Sequence, residues 1–590
     1  MARLLTREIK PPTGGEDTDS APNAIAANRA PLIENLLLDR PEKVRLRGGL
    51  IYSDAYTLPD LRPVGAWDFN GKALLGYATT ANGIEPNMHP LGGNGSPNGL
   101  ADSAQLLDTR DMSASGLANV TVSANKDNVP WGKGARLGSY VYGFAYSDNV
   151  TASVANDAGF TSQLRKLLRW DGTTTAPVAY SNAPRGGQDV SVHLNRLWVL
   201  GGTNPSTPAT APIALNTLYW SDNAGPTTDV LTAWQDDVSG LVNQIIVGDQ
   251  DPYDFGVALA SVGQNLVILK RRSVHVLYGT SPDTFTIRRV TAEYGCIDPR
   301  TVVETDEGVF FLSANGYIFF DGSTFTNMSV DHGIGTELQE QITKFLVQFP
   351  GSSPVTLNRA VAVALPNDHI LLSIVAVTGG SPRFTTDFCK ILHTPSGSWT
   401  TLTSELTAFD FTPSVAFRSA GAPWLIVANT NPLAVFAGNV TAPTGETALV
   451  SLKHRDGAYD GSPAVEIEPK WRSRLEGLSS PPHKAQIHRV IFDYAARRFG
   501  DPAGNATGWQ VELASNAGSS GWIITTEIQD ATQSSFGDYR SRAIVDRFDE
   551  LDDVQLIVTW YPGVAEGEPL QAEIYGATIE YQTSRQADDS

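Results

Sequence analysis

Between residues 63 and 445 the chain runs in short apolar or alternating stretches of four to seven residues, separated by clusters of Gly, Asn, Asp, Ser and Pro. That pattern predicts strands and tight turns. Helical spacing stands out in one place, Gly335 to Phe349, where Leu338, Ile342, Phe345 and Leu346 recur at i, i+4, i+7 and i+8. Thr336 and Gln339 sit there at capping-box spacing, so one amphipathic helix is predicted among the strands.

Within this region a hairpin unit recurs: an apolar strand, a polar turn, and a second strand that often ends in an aromatic before Gly or Asp-Gly. The clearest copies are Arg196–Leu200 with Leu218–Trp220, Asn265–Leu269 with Val274–Gly279, and Gly308–Leu312 with Tyr317–Gly322. Weaker copies are Asp368–Leu372 with Lys390–His393, and Pro423–Val427 with Leu433–Gly438. Earlier candidates are Ala73–Tyr77, and Tyr140–Phe144 with Leu167–Gly172. Starts at 196, 265, 308, 368 and 423 are 69, 43, 60 and 55 residues apart. A four-stranded propeller blade takes about 40–50 residues, so the region predicts a β-propeller of six or seven blades with loop insertions. A row of β-sandwiches is the competing arrangement.

The flanks differ. The first thirty residues are polar and small, with Glu16, Asp17 and Asp19 followed by an Ala/Asn run, and read as an extended arm that is disordered alone. Leu32–Leu38 is apolar, and Lys43-Val44-Arg45-Leu46-Arg47 alternates like a strand. Residues 1–62 are therefore taken as arm and docking strand, and 63–445 as the propeller. Beyond Thr441–Gly445 the texture changes to alternating strands: Ala464–Glu468, Lys470–Arg474, Gln486–Tyr494, Trp509–Leu513, Val554–Trp560 and Ala572–Tyr581. Such alternation belongs to antiparallel sheet with one wet face. Residues 446–590 carry 13 basic and 23 acidic side chains and form an expected acidic C-terminal β domain.

Charge and composition narrow the function classes. The 590 residues hold 43 Lys+Arg against 63 Asp+Glu, a net charge of −20, which lacks the basic footprint of a protein that grips phosphate backbones. An acidic wall can still let DNA pass without holding it. Cys296 and Cys389 are 93 positions apart and predict no disulfide framework. Cys389 and His393 have a spacing two metal ligands could share, but no second pair accompanies them, and an ordinary strand pair is the favoured reading. The N-terminal ten residues lack an apolar signal core, and Ile370–Val377 is far shorter than the ~20 residues of a bilayer span.

No catalytic signature emerges. Gly65–Ala73 has the wrong glycine spacing for a phosphate loop, and Ala73 stands where Ser or Thr would hold magnesium. The glycines between Gly92 and Gly99 read as a surface loop, and the histidines form no HExxH. Carboxylate pairs can converge from distant strands of a propeller, but Tyr219–Gly225, and Glu293 and Asp298 around Cys296, are explained by turns. Asp549, Glu550, Asp552 and Asp553 lack calcium-loop spacing and read as a solvated turn. No catalytic, cofactor or metal residues are assigned.

One stretch carries a family resemblance. The Asn265–Gly279 hairpin with Lys270-Arg271-Arg272 in its turn, Thr284–Arg289, Gly295-Cys296-Ile297-Asp298-Pro299-Arg300 and the Gly308–Gly322 hairpin follow in an order that resembles the tail nozzle proteins of short-tailed bacteriophages. Leu37–Pro41, Lys470-Trp471 and Pro481–Tyr494 agree with it. The similarity is continuous over about 60 residues and patchy elsewhere, in turn and strand patterns. The resemblance implies a non-enzymatic structural virion protein: a propeller subunit forming a homohexameric ring at the distal end of a phage tail, continuing and gating the DNA ejection channel. Its implied partners are further copies of itself, the tail tube or adaptor proteins, and tail fibres. DNA would transit without specific binding, with no stable membrane insertion. The implied location is the virion tail, with host cytoplasm during assembly. Arg40, Lys43, Arg45 and Arg47 are candidate tail-docking residues, equally well read as a solvated basic strand. The alternatives are a propeller glycosidase acting on host-surface polysaccharide and a non-catalytic receptor-binding tail tip.

Overall fold

The computed structural model describes residues 4–40, 43–46, 49–52, 62–70, 72–78, 101–108, 120–122, 129–146, 165–172, 178–179, 183–184, 186–202, 214–222, 234, 242–251, 253–346, 359–378, 383–403, 413–419, 422–427, 448–455, 459–460, 465–466, 470–478, 483–498, 508–514, 522–527, 540–551, 553–561 and 570–585. Among them, seven four-stranded antiparallel units follow one another along the chain. Blade 1 comprises Arg62–Phe69, Lys72–Ala78, Ala101–Asp108 and Val120–Val122. Blade 2 comprises Val129–Leu137, Tyr140–Tyr146, Arg165–Trp170 and Val178–Ala179. Blade 3 has Asp189–His193, Arg196–Leu200, Thr217–Trp220 and Gln244–Ile246; blade 4 has Gly256–Val262, Asn265–Lys270, Val274–Tyr278 and Thr286–Thr291. Blade 5 has Val303–Glu304, Val309–Ser313, Gly316–Phe320 and Phe325–Asn327; blade 6 has Arg359–Leu365, His369–Thr378, Arg383–His393 and Ser398–Thr401. Blade 7 takes Pro413–Ser419, Ala422–Val427 and Ala448–Arg455 from late in the chain, and Gly49–Tyr52 from its start.

The first strand of each blade neighbours the first strand of the next, and that of blade 7 lies against that of blade 1. The ring is closed, and the fold is a seven-bladed β-propeller. Closure is made by hydrogen bonds: Tyr52 and Ile51 stand opposite Val450 and Ser451. Both strands of this pair fall outside 63–445. The Thr441–Gly445 stretch that marked the expected boundary lies outside the described residues, and blade 7 takes its third strand, Ala448–Arg455, from beyond that boundary.

The recurrent hairpin is the middle pair of strands in each blade. These strands are covered on both faces by neighbouring blades, so they read as continuous apolar runs, as in Arg196–Leu200, where all five residues are buried. Cores lie between consecutive blades. Trp198, Leu200, Leu218 and Trp220 of blade 3 meet Leu259, Leu266, Ile268 and Leu277 of blade 4, and Phe285 closes edge-on over Trp198 and Trp220 at 5.1 and 5.5 Å. The expected hairpin partner Leu433–Gly438 lies outside the described residues, as do Gly92–Gly99.

The helix spans Gly335–Leu346 and buries Leu338 and Ile342 against blades 5 and 6. Its cap differs from the Thr336/Gln339 box. Asp19 accepts from the N–H groups of Gly335 and Thr336 at 2.7 and 2.9 Å, while the Gln339 amide donates to Ala314 O at 3.1 Å. A carboxylate facing the positive end of the helix dipole outcompetes a local hydroxyl.

The C-terminal part is a two-sheet sandwich built jointly by the two ends of the chain. One sheet runs Leu36–Arg40, Lys43–Leu46, Leu570–Arg585, His483–Arg498, Arg540–Leu551, with Leu5–Ile9 also paired to Leu570–Arg585. The other runs Leu32–Glu34, Lys470–Arg472, Asp553–Tyr561, Gly508–Ala514, Trp522–Glu527. Ile9, Ile33, Leu36, Leu38 and Val44 supply one part of its core, and Trp471, Ile487, Phe492, Leu556, Val558, Ile574 and Ile579 the other. The arm is extended, as expected, but its described length is laid down in order on its own chain, where a segment disordered alone was the expectation.

His275, on the third strand of blade 4, titrates in an unfavourable place. Burial lowers its pKa to about 4, helped by Lys270 and Arg289 and opposed by Asp254 and Asp249. The unfolded chain takes up a proton near the ordinary histidine value while the folded chain resists it, so stability is lost as pH falls from about 6.5 towards 4. His193 and His332 are shifted the same way by burial. In His275→Asn, urea unfolding midpoints should fall less between pH 7 and pH 4.5 than in the parent; equal slopes would contradict the assignment.

Candidate functional site

Two constellations gather charged side chains from distant parts of the chain. The first is the seam where the arm crosses blade 6. Glu16 is fully buried, and its carboxylate accepts from the Ile33 N–H at 2.9 Å and the Thr401 hydroxyl at 2.9 Å and is ion-paired to Lys390. Lys390, on the third strand of blade 6, also donates to Thr401 Oγ1 at 2.9 Å and reaches Glu337 of the helix at 3.2 Å. Burial alone would lower the Lys390 pKa; the carboxylates of Glu16 and Glu337 outweigh it and hold it raised. Burial raises the pKa of Glu34, which lies beside the same pair.

The local sequence explains why the arm fits here. Gly15 has φ +88°, and a Cβ there would stand 2.7 Å from Trp399 N, so glycine lets the backbone lie directly on blade 6. Glu16 N–H then donates to Trp399 O at 2.9 Å, and Asp17 and Thr18 N–H to Ala30 O and Gly333 O, both at 2.8 Å. Beyond this the arm enters the sandwich: Leu32–Glu34 pairs antiparallel with Lys470–Arg472 and parallel with blade 6 at Glu34–Thr401. Blade 6 and one sandwich sheet are thereby a single ten-stranded sheet. A second buried carboxylate, Glu476, accepts from Arg7 Nε at 2.8 Å and Arg474 Nε at 2.6 Å, and Arg474 also donates to Ile25 O at 2.9 Å.

The second constellation lies on the inner strands of the propeller. Lys133 of blade 2 donates to Leu259 O of blade 4 at 3.0 Å and stands 3.5 Å from Asp189 of blade 3 and 3.6 Å from Glu304 of blade 5. Asp189 accepts from Val190 N at 2.9 Å and Leu259 N at 2.8 Å; Glu304 accepts from Ser261 N at 3.3 Å. Inner strands present backbone groups without a sheet partner on one side, and these side chains satisfy those of blade 4. Burial raises the Asp189 pKa against the opposing effect of Lys133 and the backbone donors, while Asp189 and Glu304 raise that of Lys133 against its burial. Two acids thus converge, but each already holds a main-chain N–H.

The expected docking residues fall on the sandwich. Arg40 pairs with Lys43 across the Leu36–Arg40 and Lys43–Leu46 hairpin. Lys43 is ion-paired to Glu573 at 2.5 Å and lies 5.5 Å from the Tyr575 ring; Arg45 stands opposite Glu573 and is likewise engaged. Arg47 lies outside the described residues. Cys296 is buried, and its thiol pKa is pushed up by burial and by Asp298, whose carboxylate is occupied by Arg300 at 2.7 Å. Cys389 and His393 share one strand of blade 6, with the His393 ring tilted against that of His369 at 4.9 Å between centroids. Among the described residues no helix is long and apolar enough to cross a membrane.

No protein-family model matches the sequence, and no curated protein matches it. Similar solved structures include the N-terminal domain of Nup159, with 10% identity and a TM-score of 0.24 over 76% of this chain and 96% of that one. Another is the quinohemoprotein alcohol dehydrogenase ADHIIG from Pseudomonas putida HK5, with 9% identity and a TM-score of 0.30 over 72% and 75%. These likenesses carry no argument about activity; the propeller rests on the strand register and the closure of the ring.

Removing one partner of a buried ion pair leaves the other charge uncompensated and costs about 3–5 kcal/mol. Lys390→Met and Glu16→Gln are each expected to destabilise by roughly that amount in urea unfolding, and the double variant by less than the sum. Strict additivity would show that the two residues are not coupled.

Proposed function

We propose that this chain is a structural subunit of a short phage tail, assembling as a ring, with six copies the expected number, that continues the DNA conduit at the distal end and gates it. The observation that carries the reading is the seam: the arm ties propeller and sandwich into one continuous sheet, the mechanical unit a pressurised conduit needs. The net charge of −20 supports it, because an acidic wall repels the DNA backbone and releases no counterions to hold it. The order of turns and strands between Asn265 and Gly322 that resembles tail nozzle proteins supports it further. Tail tube or adaptor proteins and fibres are the proposed neighbours, and the virion tail the proposed location.

The sugar-cleaving alternative draws on the convergence of Asp189 and Glu304. Hydrolysis of a glycoside needs one carboxyl to give a proton and another to act as base or nucleophile. Here Asp189 is saturated by two N–H groups and Lys133, which favours an inter-blade clamp.

Light scattering and negative-stain imaging of the untagged chain, alone and mixed with tail tubes, test the ring reading. Rings with a central hole are the expected result. A chain that stays monomeric and is not recruited to tail tubes would overturn it.

A further inference from the structure

The outer rim of blade 4 is charged against the trend of the chain. Residues 256–291 hold five Lys/Arg and one Asp, in a protein of net charge −20. Lys270 is spent internally: it is 1% exposed, 3.6 Å from Asp254, and donates to Val247 O and Asp249 O. The other four are arginines. Arg272, Arg288 and Arg289 are exposed, and Arg271 is half-buried over the Phe255 ring at 5.9 Å. Arg288 lies over Tyr278 at 5.7 Å. Among the described residues none of the four is ion-paired to a carboxylate. The nearby Asp254 cannot neutralise them, since it already takes Lys270, the Ser273 hydroxyl at 2.6 Å and the Arg272 N–H at 2.7 Å.

Three of these arginines, Arg271, Arg272 and Arg289, share one end of one edge, and Arg288 stands one residue further along it, opposite Val276 and towards Tyr278. Val274 stands opposite Thr291 and His275 opposite Arg289, which brings Arg289 and Val290 beside the turn that carries Arg271 and Arg272. The Arg272 contact with Asp254 holds Tyr253, 61% exposed, at the same end. Burial, and the charge of Arg272, lower the Arg271 pKa. Thr286–Thr291 is the last strand of its sheet, so its outer N–H and C=O groups have no sheet partner. Arginines on an edge strand can serve only to prevent pairing. The outer strands Gln244–Ile246 of blade 3 and Phe325–Asn327 of blade 5 carry no charge, however, so this rim is not generally guarded in that way.

We propose that the outer edge of blade 4, through Arg272, Arg288 and Arg289 with Tyr253 and Val290, is the surface by which one copy of this chain binds an acidic surface of a second copy. The inference rests on the ring reading above. The complementary charge is present in the chain itself: residues 446–590 carry 23 acidic and 13 basic side chains. Arginine forks match carboxylates bidentately, and a free edge with aromatic and aliphatic neighbours supplies the rest of a contact. Nucleic acid is the other anionic occupant such arginines fit. In a conduit, unpaired guanidiniums facing the lumen would hold each passing phosphate, so the same reading places them between subunits.

The test uses the full chain and two triple variants, Arg272→Glu/Arg288→Glu/Arg289→Glu and Arg272→Lys/Arg288→Lys/Arg289→Lys, with thermal unfolding as a check that exposed positions leave the fold intact. Light scattering across protein and salt concentration reads association, and fluorescence anisotropy with a labelled random-sequence DNA duplex reads nucleic-acid binding. Parent association should weaken with salt, the Glu variant should lose at least about tenfold in association constant, and the Lys variant should fall between them. DNA affinity should be negligible in all three. A Glu variant that assembles like the parent overturns the inference and leaves the ring reading standing. Parent binding to DNA that the Glu variant loses assigns the surface to nucleic acid instead. A parent that neither self-associates nor joins tail tubes overturns both.

Discussion

A glutamate and a lysine that leave water together hold this molecule in its shape. Glu16 and Lys390 are 374 residues apart, and both are almost completely inaccessible to solvent. Neither charge is tolerable in that position alone, so the arm must lie across blade 6 for either to be buried. Once it does, Asp19 caps the helix, Leu32–Glu34 bridges blade to sandwich, and Leu5–Ile9 completes the opposite sheet. The ends of the chain are tied to its middle at each of these points, and the propeller is closed by a strand that arrives from the same direction.

Much of this was visible in the sequence, and the limit has a physical cause. The middle strands of each blade are buried on both faces, so Arg196–Leu200, Asn265–Lys270 and Val309–Ser313 announce themselves as apolar runs between turns. Outer strands such as Gln244–Ile246 and Phe325–Asn327 are short and half-wet, and carry little periodic signal. Arg540–Leu551 hides its alternation under charge, and was not anticipated. The arm's role could not be read at all, because what makes Glu16 a core residue is a lysine and a threonine more than 370 positions away. The polarity that pointed to a segment disordered on its own is the polarity of groups whose partners are remote.

The candidate surfaces shifted for a similar reason. The basic run near Lys43 looked available, but Lys43 is matched to Glu573 and Tyr575 on the last strand of the chain. The acids and lysine near the propeller axis are likewise occupied, by one another and by backbone groups of blade 4. The arginines of blade 4 differ: their hairpin was conspicuous in the sequence, and only the register showed that Arg272 and Arg289 stand at one end of an open edge. Charge matters here by what remains unmatched after folding.

The arm is part of the folded body. Amide hydrogen exchange of the purified full chain measures this most directly. Residues 5–9, 16–18 and 32–34 are predicted to be protected to the same degree as the third strand of blade 6 and the last strand of the sandwich, and to lose protection together with them in mild denaturant. Exchange of those amides at unstructured-chain rates, with blade 6 still protected, would contradict it.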